Sequence, residues 1–331
     1  MDYKQKIIDE LTVILEREKQ NGNTFKIRAY QRVIPQLRAL HYIKSLDDIK
    51  NVDGIGKGIK DRIKEILETG QLNSAEEAKK DPKTTIIKEF MNIYGIGTVK
   101  AKNLYEVEKV TSIEELREKA DKLLNEKQKI GLKYYEDLLE RIPRKEMLYH
   151  EKVIKKIVAT ISRNKFVATI VGSFRREKPD SGDIDVLLSY PETEAEAEKP
   201  FSKAEKPFSK AEAESIFKQI VDEMVKLNYI TDILALGSKK CLAICRKENE
   251  KARRLDLLLT PPDEYPYAIL YFTGSDKFNI QMRRKALELG YSLSEHGLIP
   301  MRENVEVPDD LKTEKEVFKF LKMDYLEPKD R

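Results

Sequence analysis

In the stretch GDIDVLL, residues 182–188, Asp183 and Asp185 stand one residue apart in an apolar, strand-like run. Alternation along a strand turns both carboxylates to the same face, where they repel each other unless a cation lies between them. Hard divalent ions take oxygen ligands and keep a substrate phosphate in their shell, which accounts for Ser173, Arg175 and Arg176 immediately upstream. A third acid, Asp256, sits in a second apolar run, RRLDLLL at 253–259. Three carboxylates on neighbouring strands suit two-metal phosphoryl transfer. Asp-x-Asp alone also occurs as surface acid or helix cap; Gly172-Ser173 ahead of it narrows the reading.

A second kind of chemistry lies in VDGIGKGIKDRI (52–63) and IYGIGTVKAKNL (93–104). Each has Gly-x-Gly at a turn between helices, with lysines beyond. Gly54, Gly56, Gly95 and Gly97 let the backbone approach a phosphate, and a helix N-terminus offers free N–H groups. One copy would pass for an ordinary glycine turn; two copies point to helix-hairpin-helix contacts with a DNA backbone. Neither matches a nucleotide P-loop, which needs Gly-Lys-Ser/Thr after four residues.

The elements that must hold these groups follow from periodicity. From Asp2 to Lys80, and again to Pro143, apolar residues recur at helical spacing, with breaks at NGN, DGIG and Asp81-Pro82, the last read as a hinge. From Phe166 the pattern turns to short β-rich runs: FVATIV, DIDVLLS, YITDILAL, CLAIC and RRLDLLLT. The closing part mixes helices with short extended pieces. Four modules result: 1–80 and 81–147, both helical; 148–261, sheet; and 262–331, α/β. The heptapeptide EKPFSKA occurs at 198–204 and again at 205–211, so 192–214 reads as an inserted polar loop grading into a helix.

The 331 residues contain 62 basic and 58 acidic side chains, so bulk charge of +4 says little about a polyanionic partner. The two cysteines, Cys241 and Cys245, form no disulfide framework, and no apolar run is long enough to span a bilayer. The opening residues lack a signal peptide's apolar core. An intracellular, reducing compartment, nucleus or cytoplasm, is expected. His41, His150 and His296 show no ligand spacing and read, with the cysteines, as structural.

Order and spacing of GSFRRE…SGDIDVLL, QKIGLKYYEDLLERIPRKEM, RRLDLLLTP, YFTGSDKFN and YLEPKDR resemble the family X DNA polymerases from about Phe25 onward. The resemblance implies a multidomain α and α/β fold. A helical lyase-like domain would precede a duplex-binding subdomain, a nucleotidyltransferase sheet and a nascent-base-pair subdomain. It makes Asp183, Asp185 and Asp256 the metal ligands, for two Mg²⁺ ions or Mn²⁺, with Asp256 nearest the primer 3′-hydroxyl. Ser173, Arg176, Ser181 and Gly182 would hold the incoming deoxynucleoside triphosphate, and Arg141 a distal phosphate. Tyr271, Phe272 and Gly274 would wall the sugar, Asp276 and Asn279 contact the base, and Arg283 the template side. Arg254 would lie beside the acids, whereas an arginine that relatives carry two positions after the third acid is Leu258 here. Na⁺ or K⁺ is expected at the hairpins. The expected activity is filling of short gaps in gapped or nicked DNA by a monomer with no membrane association, in base excision repair. Template-independent terminal transfer and a catalytically dead DNA-binding scaffold are the alternatives.

In the N-terminal part, Lys26 and Tyr30 match the family's 5′-phosphate pocket. The Schiff-base lysine falls at Arg62, and two further lysines at Gly58 and Ser74. A guanidinium stays protonated and cannot attack an aldehyde, so grip on the 5′-phosphate with weak or no lyase activity is expected.

Overall fold

The computed structural model describes residues 2–190, 209–301, 307 and 311–331. It divides into two compact units, Met1–Tyr135 and Glu136–Arg331. Residues 136–147, which the sequence pattern groups with the helical part, therefore belong with the sheet.

The first unit is helical. Helices α1 (Lys4–Asn21), α2 (Thr24–Ala39), α3 (Lys57–Thr69) and α4 (Asn73–Lys80) surround one apolar core. Ile7, Leu11 and Ile14 recur along α1 and are buried, and the NGN break works as predicted: Gly22 ends α1 at φ 71°, and the Asn23 side chain accepts from Lys26 N–H to start α2. A second core is built by α5 (Pro82–Met91), α6 (Thr98–Glu106), α7 (Ile113–Glu118), α8 (Ala120–Leu123) and α9 (Glu126–Lys133). At Asp81-Pro82, read from the sequence as a hinge, Asp81 follows α4 directly and caps α5 by accepting from Lys83 N–H, with Pro82 at the first helical position.

The second unit opens with the rest of α10 (Tyr135–Leu139), then β1 (Ile142–Pro143), α11 (Arg144–Ser162), β2 (Val167–Ile170), the short α12 (Gly172–Arg175), β3 (Asp180–Ser181) and β4 (Ile184–Ser189). After the segment bearing the repeat come α13 (Lys210–Lys226), β5 (Ile230–Leu236), β6 (Lys240–Arg246) and β7 (Ala252–Leu259). The five-stranded sheet runs β2-β4-β7-β6-β5, with β4 and β7 parallel and the other pairs antiparallel. Its apolar face packs on α11 and α13 around Phe217, Val186 and Leu257. Most of the predicted loop at 192–214 lies outside the described residues, but its end is corrected: Lys210–Glu214 are already helical, because Ser209 and Glu212 form a capping box.

The chain closes with α14 (Tyr265–Thr273), α15 (Asp276–Glu288), a hairpin of β8 (Tyr291–Ser294) and β9 (Gly297–Pro300), and α16 (Glu314–Phe320), packed around Phe278 and Phe318. Among the described residues no helix is long and apolar enough to cross a membrane. Burial pushes both cysteine thiols up to about 12, away from reactive chemistry.

Candidate active site

The parallel pairing of β4 with β7 puts Asp185 directly opposite Asp256 on one sheet face. Burial, and then the charge of Asp256, raises the Asp185 carboxyl to about 6. Asp256 is raised too, by burial, against the charges of Arg254 and Lys240. Asp183, just before β4, is instead drawn to the Arg254 guanidinium. Arg254 Nε also lies 3.5 Å from Asp256 Oδ1, too poorly aligned for a hydrogen bond, and that buried oxygen has no partner. Consequently, no group of three or more acids, histidines or cysteines among the described residues is drawn together as a ready ligand set. The residues nonetheless fit a divalent cation: two half-buried carboxylates abut, both resist ionisation, and one presents an unpartnered oxygen.

The phosphate side is assembled by short elements. Gly172 starts α12 at φ 59°, and a Cβ there would meet Asp185 Oδ2 at 2.8 Å, so only glycine lets the turn lie against the acid. Ser173 Oγ donates to Ser181 Oγ at 2.9 Å. The pairing of β1 with β3 carries Arg141 beside Gly182, where its Nε and Nη2 bind Asp180 Oδ1 at 2.8 and 2.6 Å. Arg176 donates to the Thr273 carbonyl and keeps a buried, unpartnered Nε; burial lowers its pKa, opposed by the charges of Asp276 and Asp185. Ser173, Ser181, Gly182, Arg141, Arg176 and the acids thus all lie within the second unit and along one side of it.

Beyond them, Tyr271 and Phe272 meet edge to face at 5.0 Å, followed by Gly274 at φ 66°. Asn279 Nδ2 donates to Tyr271 O at 2.8 Å, and the Arg283 guanidinium lies 5.1 Å from the Tyr271 ring. Tyr271, Asn279 and Arg283, with Met282 and Tyr267, line an open groove; Phe272 and Gly274 are not among its lining residues. Asp276 is exposed at the start of α15.

Both glycine hairpins have the same build in the first unit. Gly54 and Gly95 take φ 87° and 82°; Gly56 and Gly97 precede α3 and α6 without a side-chain cap, leaving first-turn N–H groups for another acceptor. Each loop is fastened by a glutamine that the sequence did not reveal. Gln36 Nε2 donates to Asp53 O at 2.9 Å while its Oε1 accepts from Asp53 N–H at 3.0 Å, and Gln128 Nε2 donates to Gly95 O at 2.9 Å. On the neighbouring face, Lys26 binds Glu18 at 2.9 Å, Tyr30 is buried with its hydroxyl unpartnered, and Arg62, whose charge bears on Tyr30, has a buried unpartnered Nε. Lys57, Lys60 and Lys64 are exposed.

Two further residues near the site carry no role in the sequence motifs. Arg253, 4% exposed, pairs with Glu146 through two bonds of 2.6 and 2.8 Å; strand alternation turns it to the opposite face from Arg254. Lys240 stands across from Leu258 in the β6–β7 pair.

A mixed sheet that places a Gly-Ser turn beside an Asp-x-Asp strand, with a further acid on the parallel neighbour, is the framework of the nucleotidyltransferases. Comparison with known proteins is more specific. The DNA polymerase beta palm matches residues 141–262, the DNA polymerase beta thumb 268–331, the fingers domain of DNA polymerase lambda 88–139, and a helix-hairpin-helix domain 2–72. The chain is 30% identical to DNA polymerase lambda of Rattus norvegicus and 31% identical to that of Arabidopsis thaliana, over all of its own length and 56% and 62% of theirs. DNA nucleotidylexotransferase of Gallus gallus is 29% identical over 99% of the chain and 67% of the relative. The chain belongs to the family X DNA polymerases.

Proposed function

We propose that the protein is a template-directed DNA polymerase that fills short gaps by nucleotidyl transfer, as in base excision repair. The observation that carries this reading is the juxtaposition of Asp185 and Asp256 on parallel strands beside the Gly172-Ser173 turn. Asp183, Asp185 and Asp256 would hold the divalent ions, Mg²⁺ or Mn²⁺. When bound, such ions supply positive charge to the phosphate oxygens and lower the pKa of the attacking hydroxyl. Ser173, Ser181, the Gly182 backbone, Arg176 and Arg141 orient the triphosphate with charge-assisted hydrogen bonds. Tyr271, Phe272 and Gly274 flank the sugar, Asp276 and Asn279 the base, Arg283 the template, and Arg254 lies beside the acids. The two hairpins grip the backbone of gapped or nicked DNA through Gly54, Gly56, Gly95 and Gly97, with Na⁺ or K⁺ at their turns, and the enzyme works as a monomer. Terminal transfer is the weaker reading, because only residues 247–251 join β6 to β7.

Extension of a primer across a one-nucleotide gap tests the proposal. The wild type should extend it with Mg²⁺ and stop on chelation, whereas Asp256→Ala should lose addition and still bind the gapped DNA. Near-normal turnover by this variant would remove Asp256 from the chemistry.

In the N-terminal unit, Lys26, Tyr30 and Arg62 form a 5′-phosphate clamp without a lyase nucleophile. Borohydride trapping on 5′-incised abasic DNA should give little adduct. Rapid trapping, mapped to Lys26, Lys57, Lys60 or Lys64, would contradict this.

A further inference from the structure

Arg175, next to the phosphate-facing Arg176, points away from the acids. Its Nη1 and Nη2 donate to the two oxygens of Glu314 at 2.9 and 2.6 Å, and Nη1 also donates to Thr273 Oγ1 at 2.7 Å. Glu314 Oε1 accepts a further bond, of 2.6 Å, from Arg331 Nη1. The Arg331 side chain is 0% exposed. Its Nε donates to the Leu326 carbonyl at 2.9 Å, and its guanidinium lies 5.4, 5.2 and 5.6 Å from the rings of Phe278, Phe318 and Tyr325.

A carboxylate shared by two guanidiniums away from water is a costly way to stabilise a fold, since apolar side chains of the same volume serve as well. What it provides is connection. Arg175 ends the helical turn that begins Gly172-Ser173; Thr273 ends α14 just after Tyr271 and Phe272; Phe278 lies on α15 between Asp276 and Asn279. One carboxylate therefore ties the phosphate side of the groove to its sugar and base side.

We propose that Glu314 is a positioning residue for the incoming nucleotide: clamped by the buried Arg331, it fixes through Arg175 the turn carrying Ser173 relative to the Tyr271–Asn279 wall. The inference rests on the nucleotide site proposed above. It predicts that loosening the chain moves nucleotide affinity and leaves DNA affinity alone, because no member of the chain belongs to the hairpins.

The test is steady-state extension of one-nucleotide-gapped DNA by wild type, Glu314→Gln, Arg175→Lys and the double variant. Arg175→Lys keeps the charge and gives up only the bidentate geometry, so it remains informative if Glu314→Gln folds poorly. Each single change should raise KM for the nucleotide about tenfold, the size of one charge-assisted hydrogen bond, with the Kd for gapped DNA unchanged. The double variant should be no worse than the poorer single one, as members of one network are not additive. As a structural control, Leu321→Ala, in the same core, should lower the melting temperature and leave KM in place. A KM for Arg175→Lys within about twofold of wild type, additive effects, or an equal rise in Leu321→Ala would each overturn the positioning role alone. A wild type unable to extend the primer would overturn the nucleotide site itself, and this proposal with it.

Discussion

Gly172 shows how little room the site leaves a single residue. Its φ of 59° is costly for any other amino acid, and a Cβ would stand 2.8 Å from Asp185 Oδ2. Gly172→Ala should therefore shift either the turn or the carboxylate. Displacements of about 1 Å at reacting groups cost roughly 10²-fold in rate, so kcat should fall by that order while gapped-DNA affinity holds. Single-turnover extension against an equilibrium binding measurement separates the two. At this scale the sequence was informative where chemistry is local: Gly172, Ser173, Asp183 and Asp185 lie within fourteen positions and read as one motif. Spacing alone did not pair Arg254 with Asp183, 71 residues away, which only the family resemblance set beside the acids, and it was silent on the clamp of Arg175, since Glu314 is 139 away. Side-chain pairing across such distances leaves no periodic trace in either segment.

Among the elements, the second hairpin depends on a helix that carries no hairpin motif. Helix α9 packs so closely on the loop that a Cβ on Gly131 would come 2.4 Å from the Tyr94 carbonyl oxygen and 2.9 Å from its nitrogen, both backbone atoms that cannot swing aside. Gly131→Ala should thus push α9 off the loop, strain the Gln128 bond to Gly95, and destabilise the first unit by about 1–3 kcal/mol, the usual cost of overpacking. Thermal melting checks the stability, and weaker binding of gapped DNA, with the Asp256→Ala variant as the reference, checks the hairpin's share. Helices and strands themselves were largely legible, because apolar spacing of 3.6 or 2 follows directly from burial of one face. Their ends were less so. The break at Asp81-Pro82 was legible, but not that Asp81 caps the next helix at once, with proline at its first position. The start of α13 was displaced because its capping box, Ser209 with Glu212, straddles the end of a polar repeat that reads as loop.

For the whole molecule, two units with separate cores imply two responses to acid. His150 is 0% exposed on α11 and shares its Nδ1 with the Tyr229 hydroxyl at 2.8 Å. Burial lowers its pKa to about 4, only partly opposed by Glu146, while Arg253 and Lys247 add to the depression. A folded value below the unfolded one of 6.5 means that the unfolded chain takes up the proton first. The contribution is full above the unfolded value and is lost as pH falls toward the folded one, amounting to about 2 kcal/mol by pH 5. Urea unfolding read by hydrogen-exchange mass spectrometry should show Glu136–Arg331 weakening between pH 7 and 5, less so in His150→Asn, and no His150-dependent change in Met1–Tyr135. Equal acid sensitivity in the variant would assign the effect to other groups.

The capping box that starts α13 has a consequence for the gene as well. Ser209-Lys210-Ala211 closes the second copy of the heptapeptide and Glu212 follows it, just as Ser202-Lys203-Ala204 closes the first and is followed by Glu205. Excising either copy leaves one identical sequence, with the cap still eight residues ahead of the buried Phe217. Replication slippage could add or remove whole heptads here without disturbing the register of the helix against the sheet.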